Sequence, residues 1–196
     1  MRMRSATPPD MNLDRDRILE AGLELLQSGG LAAVSTRAIA ARLGVRASAL
    51  YRHFASKEKI LGSMSARLFI AAQDGLPPDL DWSEWLRQFG HALRTNLLRY
   101  RDSAIMCTSA PPPSDNVENV ARTIAEPLTR LGIPASEALI DIASVIALTV
   151  GWTAYQQSEA YVDFLDKMVG FDRAFDRSLR ALVAGLAVAE GGDLQD

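Results

Sequence analysis

Apolar positions along the chain fall into helical stripes separated by glycine, proline and small polar residues. Ile18, Ala21, Leu25 and Leu26 recur at the spacing of one helix face between Asp14 and Ser28, and Gly29-Gly30 ends the run. A second helix is expected over Thr36 to Leu43, with Ser35 placed to cap it and Gly44 to stop it. A third covers about Ala47 to Phe54, and Ser56 caps a longer fourth helix reaching about Asp74. Gly75-Leu76-Pro77-Pro78 reads as a linker or sharp corner. Asp81 opens a helix that runs to about Arg101. The triple proline Pro111-Pro112-Pro113 places a loop over 109–116. Val117 to Leu131 is helical, with Pro127 kinking it or ending it early. After the break at Gly132-Ile133-Pro134, Ser136 caps a strongly apolar helix to about Gln157. Phe171, Phe175, Leu179, Leu182 and Leu186 stripe a last helix to about Ala189. No segment shows the period-two alternation of a strand, and no internal repeat is present. The pattern predicts an all-α protein of nine to ten helices. It divides into a disordered tail over 1–11, a three-helix unit over 12–60 and a larger helical unit over 61–196.

Composition narrows the class. With 196 residues and 48% hydrophobic content the chain can bury a sizeable core. One cysteine, Cys107, allows neither an intramolecular disulfide nor a zinc-type cluster, and it fits a reducing cytoplasm. The N-terminal MRMRSATPPD has no apolar run after its basic residues, so it does not read as a secretory signal. The apolar stretch from Ala138 to Ala154 is interrupted by Asp141, Ser144 and Gly151, which argues against a membrane span. The net charge of −3 hides an asymmetry: residues 1–60 carry ten Lys and Arg against six Asp and Glu, whereas the rest carries eleven against eighteen. A phosphate-seeking part joined to an acidic part accounts for that split; chance fluctuation is the alternative.

The stretch Ser35 to Phe54 carries the chemistry. A small residue, Ala40, lets one short helix approach the next, and Gly44 can take a left-handed turn without steric cost. Ile39, Leu43, Val45 and Leu50 supply a three-helix core. The face left over is Arg46, Ala47, Ser48, Ala49, Arg52 and His53. Short side chains let a helix sink into the major groove, where cations and hydroxyls meet phosphates and base edges.

At these residues the chain resembles the DNA-binding domain of the TetR (tetracycline-repressor-like) family of transcriptional regulators. The matching elements are Ser35-Thr36-Arg37-Ala38-Ile39-Ala40, Leu43-Gly44-Val45, Leu50-Tyr51-Arg52-His53-Phe54 and Lys57, within a resemblance from Leu13 to Leu61. The resemblance implies that Thr36 and Arg37 contact phosphate or a base edge and that Ala47, Ser48 and Ala49 face the bases. It implies that Tyr51 and His53 hold the backbone and that Lys57 binds a phosphate. Arg46 and Arg52 are additions of this sequence, and one of them is expected to read guanine. Packing is the competing role for Tyr51, and a solvated surface position the competing one for His53.

The remainder is similar, more loosely, to the effector domain of the tetracycline-repressor subgroup. That subgroup's metal-holding histidine corresponds to Cys107, its glutamate to Tyr155, and its drug-gripping asparagine and phenylalanine to Phe89 and Leu93. These departures argue against a metal-chelated ligand, and neither metal nor cofactor is implied. Trp85, Phe89, Leu93, Met106, Cys107, Trp152 and Tyr155 are candidates for lining a pocket for a hydrophobic or aromatic effector, with Tyr155, His91 and Gln156 orienting it. Plain core packing is the alternative for each. By the same resemblance the last two helices pair across a twofold axis, giving a homodimer and an inverted-repeat operator. The implied protein is a ligand-released repressor on double-stranded DNA. Two histidines and no phosphate loop, nucleophile elbow or metal motif leave little for an enzyme. The remaining rival is a DNA-binding protein without an effector pocket.

Overall fold

The computed structural model describes residues 13–112 and 117–192, and everything described is helix, turn or loop. Ten helices follow in order: α1 (Arg15–Ala33), α2 (Thr36–Leu43), α3 (Ala47–Leu50), α4 (Lys57–Asp74), α5 (Trp82–Leu98), α6 (Ser103–Ser109), α7 (Val117–Thr129), α8 (Ala135–Gln157), α9 (Val162–Val169) and α10 (Phe171–Gly192). The expected tail over 1–11 lies outside the described residues.

The first three helices form a small unit whose termini are fixed by local chemistry. The Asp14 carboxylate accepts from the Arg17 amide at 2.8 Å and starts α1; Ser35 Oγ accepts from the Ala38 amide at 3.1 Å and starts α2. Gly44 ends α2 in the left-handed region at φ 68°, ψ 24°, and its amide reaches back to Ala40 and Ala41. Ile18, Leu26, Ile39 and Leu50 are fully buried between these helices.

α4 runs without a break from this unit into the larger one, packing on α1 on one side and on α5 and α6 on the other. The larger unit is built around α8, which contacts α5, α6, α7, α9 and α10. Its inward residues Ala138, Ile142, Val145 and Thr149 meet Phe89, Leu93, Phe175 and Leu179 in one continuous core with the first unit. α8 is 23 residues long, and by length and composition alone it could cross a membrane. It is longer than the interrupted apolar stretch suggests. Its position at the centre of the unit, with Asp141, Thr149 and Thr153 buried on it, is that of a core helix.

Several elements differ from the sequence expectation, and α5 ends at Leu98 rather than at about Arg101. α1 continues beyond Gly29, but through a kink at Gly30, whose φ 69°, ψ −172° is not helical. α3 stops at Leu50 rather than Phe54, because the amides of His53 and Phe54 both turn back onto the Leu50 carbonyl at 2.9 Å. α7 ends at Thr129, two residues past Pro127, whose missing amide weakens the last turn. α8 begins from the extended backbone of Pro134, while Ser136 lies inside it with its hydroxyl on Glu137. α9 was not expected; Val162, Leu165 and Val169 recur at helical spacing within it, but none of its residues is buried. The α10 stripe centres on Phe171, Phe175, Leu179 and Val183, with Leu182 and Leu186 at its margin.

Candidate nucleic-acid interface and apolar cavity

The corner between α2 and α3 presents the predicted face. Arg37, Arg46, Ser48, Tyr51 and Arg52 are exposed, and Thr36, Ala47, Ala49, His53 and Lys57 are half-buried around them. Tyr51 is 55% exposed, too open for a residue kept for packing. Thr36 opens α2 and Lys57 opens α4, so both stand where helix amides face outward. Ser56 accepts from the Lys59 amide at 3.3 Å and fixes that second terminus.

Charge pairing separates this face from the rest of the unit. Arg37, Arg46, Arg52, Lys57 and Lys59 form no ion pair with a described residue. Arg42, on the opposite side of α2, is ion-paired with Glu24, and Arg15 lies 5.0 Å over the Phe54 ring. A cluster of uncompensated cations on short-side-chain helices is poised to take up phosphates.

The unit is tied to the larger one at its far end as well as through α4. Asp102, between α5 and α6, adopts a left-handed backbone at φ 55°, rare for a residue with a side chain. In that pose its Oδ2 accepts the Leu31 amide at 2.9 Å, just past the α1 kink. Gln157, at the end of α8, holds the same turn: its Nε2 donates to the Tyr100 carbonyl at 2.8 Å and its Oε1 accepts from the Ala104 amide at 3.2 Å. The sequence reading pointed to Gln156, whose Oε1 instead accepts from Arg94 at 2.7 Å.

The effector candidates divide into four groups. Trp85, Phe89, Leu93 and Met106 are packed in the core, with Trp85 stacked on Phe89 at 5.1 Å. Trp152, Tyr155 and Gln156 lie at the far end of α8, where Trp152 meets Phe171 and Tyr155 meets Tyr161 edge-on. His91 stands on the surface beside Asp176 at 3.5 Å. Cys107 is half-buried, and burial pushes its thiol above the usual range, with the Ser65 hydroxyl opposing. A raised thiol carries less thiolate and reacts slowly. Cys107 in the native protein is therefore expected to react with Ellman's reagent many-fold more slowly than in the denatured chain. Equal rates would show an open, activated thiol. No group of three or more His, Cys, Asp or Glu among the described residues is arranged to hold a metal ion.

An apolar cavity lies elsewhere. A space of about 710 Å³ opens between α1, α4, α7 and the loop after α6, lined by Leu19, Phe69, Ile70, Pro112, Val120 and Ile124 among others. None of the nine effector candidates lines it. The sequence signal for it is weak but present: Phe69 and Ile70 widen the apolar stripe of α4 beyond one face, and Ile70 is left 54% exposed.

Comparison with known proteins gives two family matches along the chain. Residues 18–64 match the family model for bacterial regulatory proteins of the tetR family, and residues 74–163 match that for the tetracyclin repressor-like C-terminal domain. The tetracycline repressor protein class G of Vibrio anguillarum is 31% identical over 196 positions, covering 88% of this chain and 93% of that protein. A TetR variant from Acinetobacter baumannii AYE, solved with minocycline, superposes with a TM-score of 0.72 at 29% identity, covering 90% of this chain and 98% of that one. BioQ, solved with its double-stranded DNA operator, gives a TM-score of 0.67 at 28% identity, covering 90% and 99%.

Proposed function

The chain belongs to the TetR family of bacterial regulatory proteins, and on that footing we propose that it is a repressor of transcription, working in the cytoplasm as a homodimer on an inverted-repeat operator and released by a small apolar effector. The observation that carries the reading is the face of unpaired cations around α3. Thr36, Arg37, Tyr51, His53 and Lys57 fix the head on the phosphate backbone, Ala47, Ser48 and Ala49 approach the base edges, and Arg46 and Arg52 supply guanidinium groups for guanine. Support for pairing comes from α8 and α10. Ile140, Ala143, Ala147 and Gly151 form an exposed stripe along α8, and Ala181 and Ala184 do so on α10, small enough for two helices to meet closely. Two heads held by such a bundle reach successive major grooves about 34 Å apart.

The effector enters the cavity between α1, α4 and α7 rather than the α5–α6–α8 core, where Trp85, Phe89, Leu93 and Met106 already fill one another's surroundings. A cavity of 710 Å³ is of the size that holds small organic ligands. It speaks against a DNA-binding protein with a collapsed second domain. α4 forms one wall and also carries the DNA head, so a ligand that favours one setting of α4 changes the spacing of the heads.

Selection of bound sequences from a random duplex library tests the reading. An inverted repeat should emerge, and its affinity should fall steeply and linearly with the logarithm of salt concentration. Recovery of no sequence preference over random DNA would sink it.

A further inference from the structure

The chemistry of the cavity mouth points to a class of effector. Resting on the proposed function above, we infer that the ligand is an amphipathic organic anion whose acid group is taken by Arg67 while its apolar body fills the cavity between α1, α4 and α7.

Arg67 and Asp16 are the only charged groups among the described residues that line this cavity, and they differ in setting. Asp16 belongs to α1 and its side chain is 88% exposed; Arg67 belongs to α4 and its side chain is 40% exposed. The solvated carboxylate is screened by water, so the field felt inside the cavity is dominated by the half-withdrawn guanidinium. Arg67 is also poorly matched where it stands. Its Nη1 donates to the Asp16 carbonyl at 3.3 Å and lies 3.8 Å from the Asp16 carboxylate, outside hydrogen-bond range. Exposed pairs of this kind contribute little. A carboxylate or sulfonate entering from the cavity offers the paired, close acceptors that a guanidinium fork prefers, at about 2.8 Å. Most of the remaining lining is apolar, Leu19, Phe69, Ile70, Val120 and Ile124 among it, and its polar members Ser63, Gln73 and Thr123 carry no charge.

The exchange has a direction. When Arg67 turns from Asp16 to the ligand, α4 gives up its polar hold on the first turn of α1.

Calorimetric titration of the full-length protein with decanoate, 1-decanol and decyltrimethylammonium tests this, each beside Arg67→Gln, Arg67→Lys and Ile70→Trp. Decanoate should bind the natural protein about tenfold more tightly than the alcohol, with the cation weakest. Arg67→Gln should erase that preference and leave alcohol binding in place, Arg67→Lys should retain part of it, and Ile70→Trp should block all binding by filling the cavity. Asp16→Asn should strengthen decanoate binding by about twofold, because a competing acceptor is neutralised. Equal affinity for acid and alcohol, a preference surviving in Arg67→Gln, tightest binding of the cation, or binding indifferent to Ile70→Trp would each overturn the inference. So would no decanoate binding at all. If sequence-specific DNA binding persists in those cases, only the effector class has failed; if it is absent, the regulator reading has failed as well.

Discussion

Replacing Arg46 and Arg52 together with alanine is expected to lower operator affinity about a hundredfold or more at fixed salt. Each arginine is exposed, without an ionic partner among the described residues, and at the edge of the α2–α3 corner. A guanidinium on guanine O6 and N7 contributes roughly 1–3 kcal/mol, and each 1.4 kcal/mol is a factor of ten. A dimer loses the pair twice. Fluorescence anisotropy at several salt concentrations separates two ways of reaching that loss. If the arginines read bases, discrimination at particular positions collapses while the salt slope holds. If they bind phosphates, affinity falls evenly across sequences and the slope shrinks by about one for each contact removed. Arg42→Ala is the control. Its guanidinium is engaged by Glu24 on the other side of α2, so operator affinity should stay within about twofold. An Arg42 effect equal to that of the double variant would mean that the reading face has been misplaced.

The second large effect concerns stability. Gly30→Ala should destabilise the folded protein by about 3–5 kcal/mol. At φ 69°, ψ −172° the backbone occupies a region that only glycine enters readily, and forcing a side chain there costs about 1–3 kcal/mol. The added Cβ would also sit 2.3 Å from Asp102 Oδ2, the atom that accepts the Leu31 amide at 2.9 Å. Relieving that overlap pushes the carboxylate off its donor, and a lost hydrogen bond to a charged group costs roughly 1.5–3 kcal/mol. For a chain of this length each kcal/mol lowers Tm by about 2–4 °C, so a fall of about 10 °C is expected in a thermal melt. Gly44→Ala is a milder reference, because its φ 68°, ψ 24° is the left-handed helical region and nothing lies within 4 Å of its added Cβ. It should cost only about 1 kcal/mol. Equal losses for the two variants would show that Asp102 does not crowd Gly30.

How far these features could be read from the sequence depends on how local their causes are. Ser35 and Gly44 announce both ends of α2 because cap chemistry lies within four residues of the backbone it serves. The exposed face around α3 was legible for the same reason, although the helix itself is one turn shorter than its pattern. Tyr51, Arg52 and His53 continue it as turns, with Tyr51 and Arg52 exposed and His53 half-buried. What was hidden depends on contacts across the fold. The Leu31–Asp102 bond joins positions 71 residues apart, and no periodicity signals it. The aromatic and apolar residues of α5, α6 and α8 promised a pocket, but Phe89, Leu93 and Met106 are consumed by mutual packing with no exposed surface. The space opened instead where α4 and α7 diverge, under residues whose apolar character looked like ordinary core.

The two polar ties of α1 bear on how such regulators can be recombined. Arg67 holds its first turn and Asp102 its last, and both belong to the sensor side of any cut made near residue 60. A chimera that grafts residues 1–60 onto a foreign sensor would bring the reading face intact and leave both anchors behind. The recipient must then offer, above all, a carboxylate on a left-handed turn at the place of Asp102, since the exposed contact from Arg67 contributes little. Without it the transplanted head would still recognise its half-site, yet sit at an uncontrolled angle, and it would no longer heed the signal bound below it.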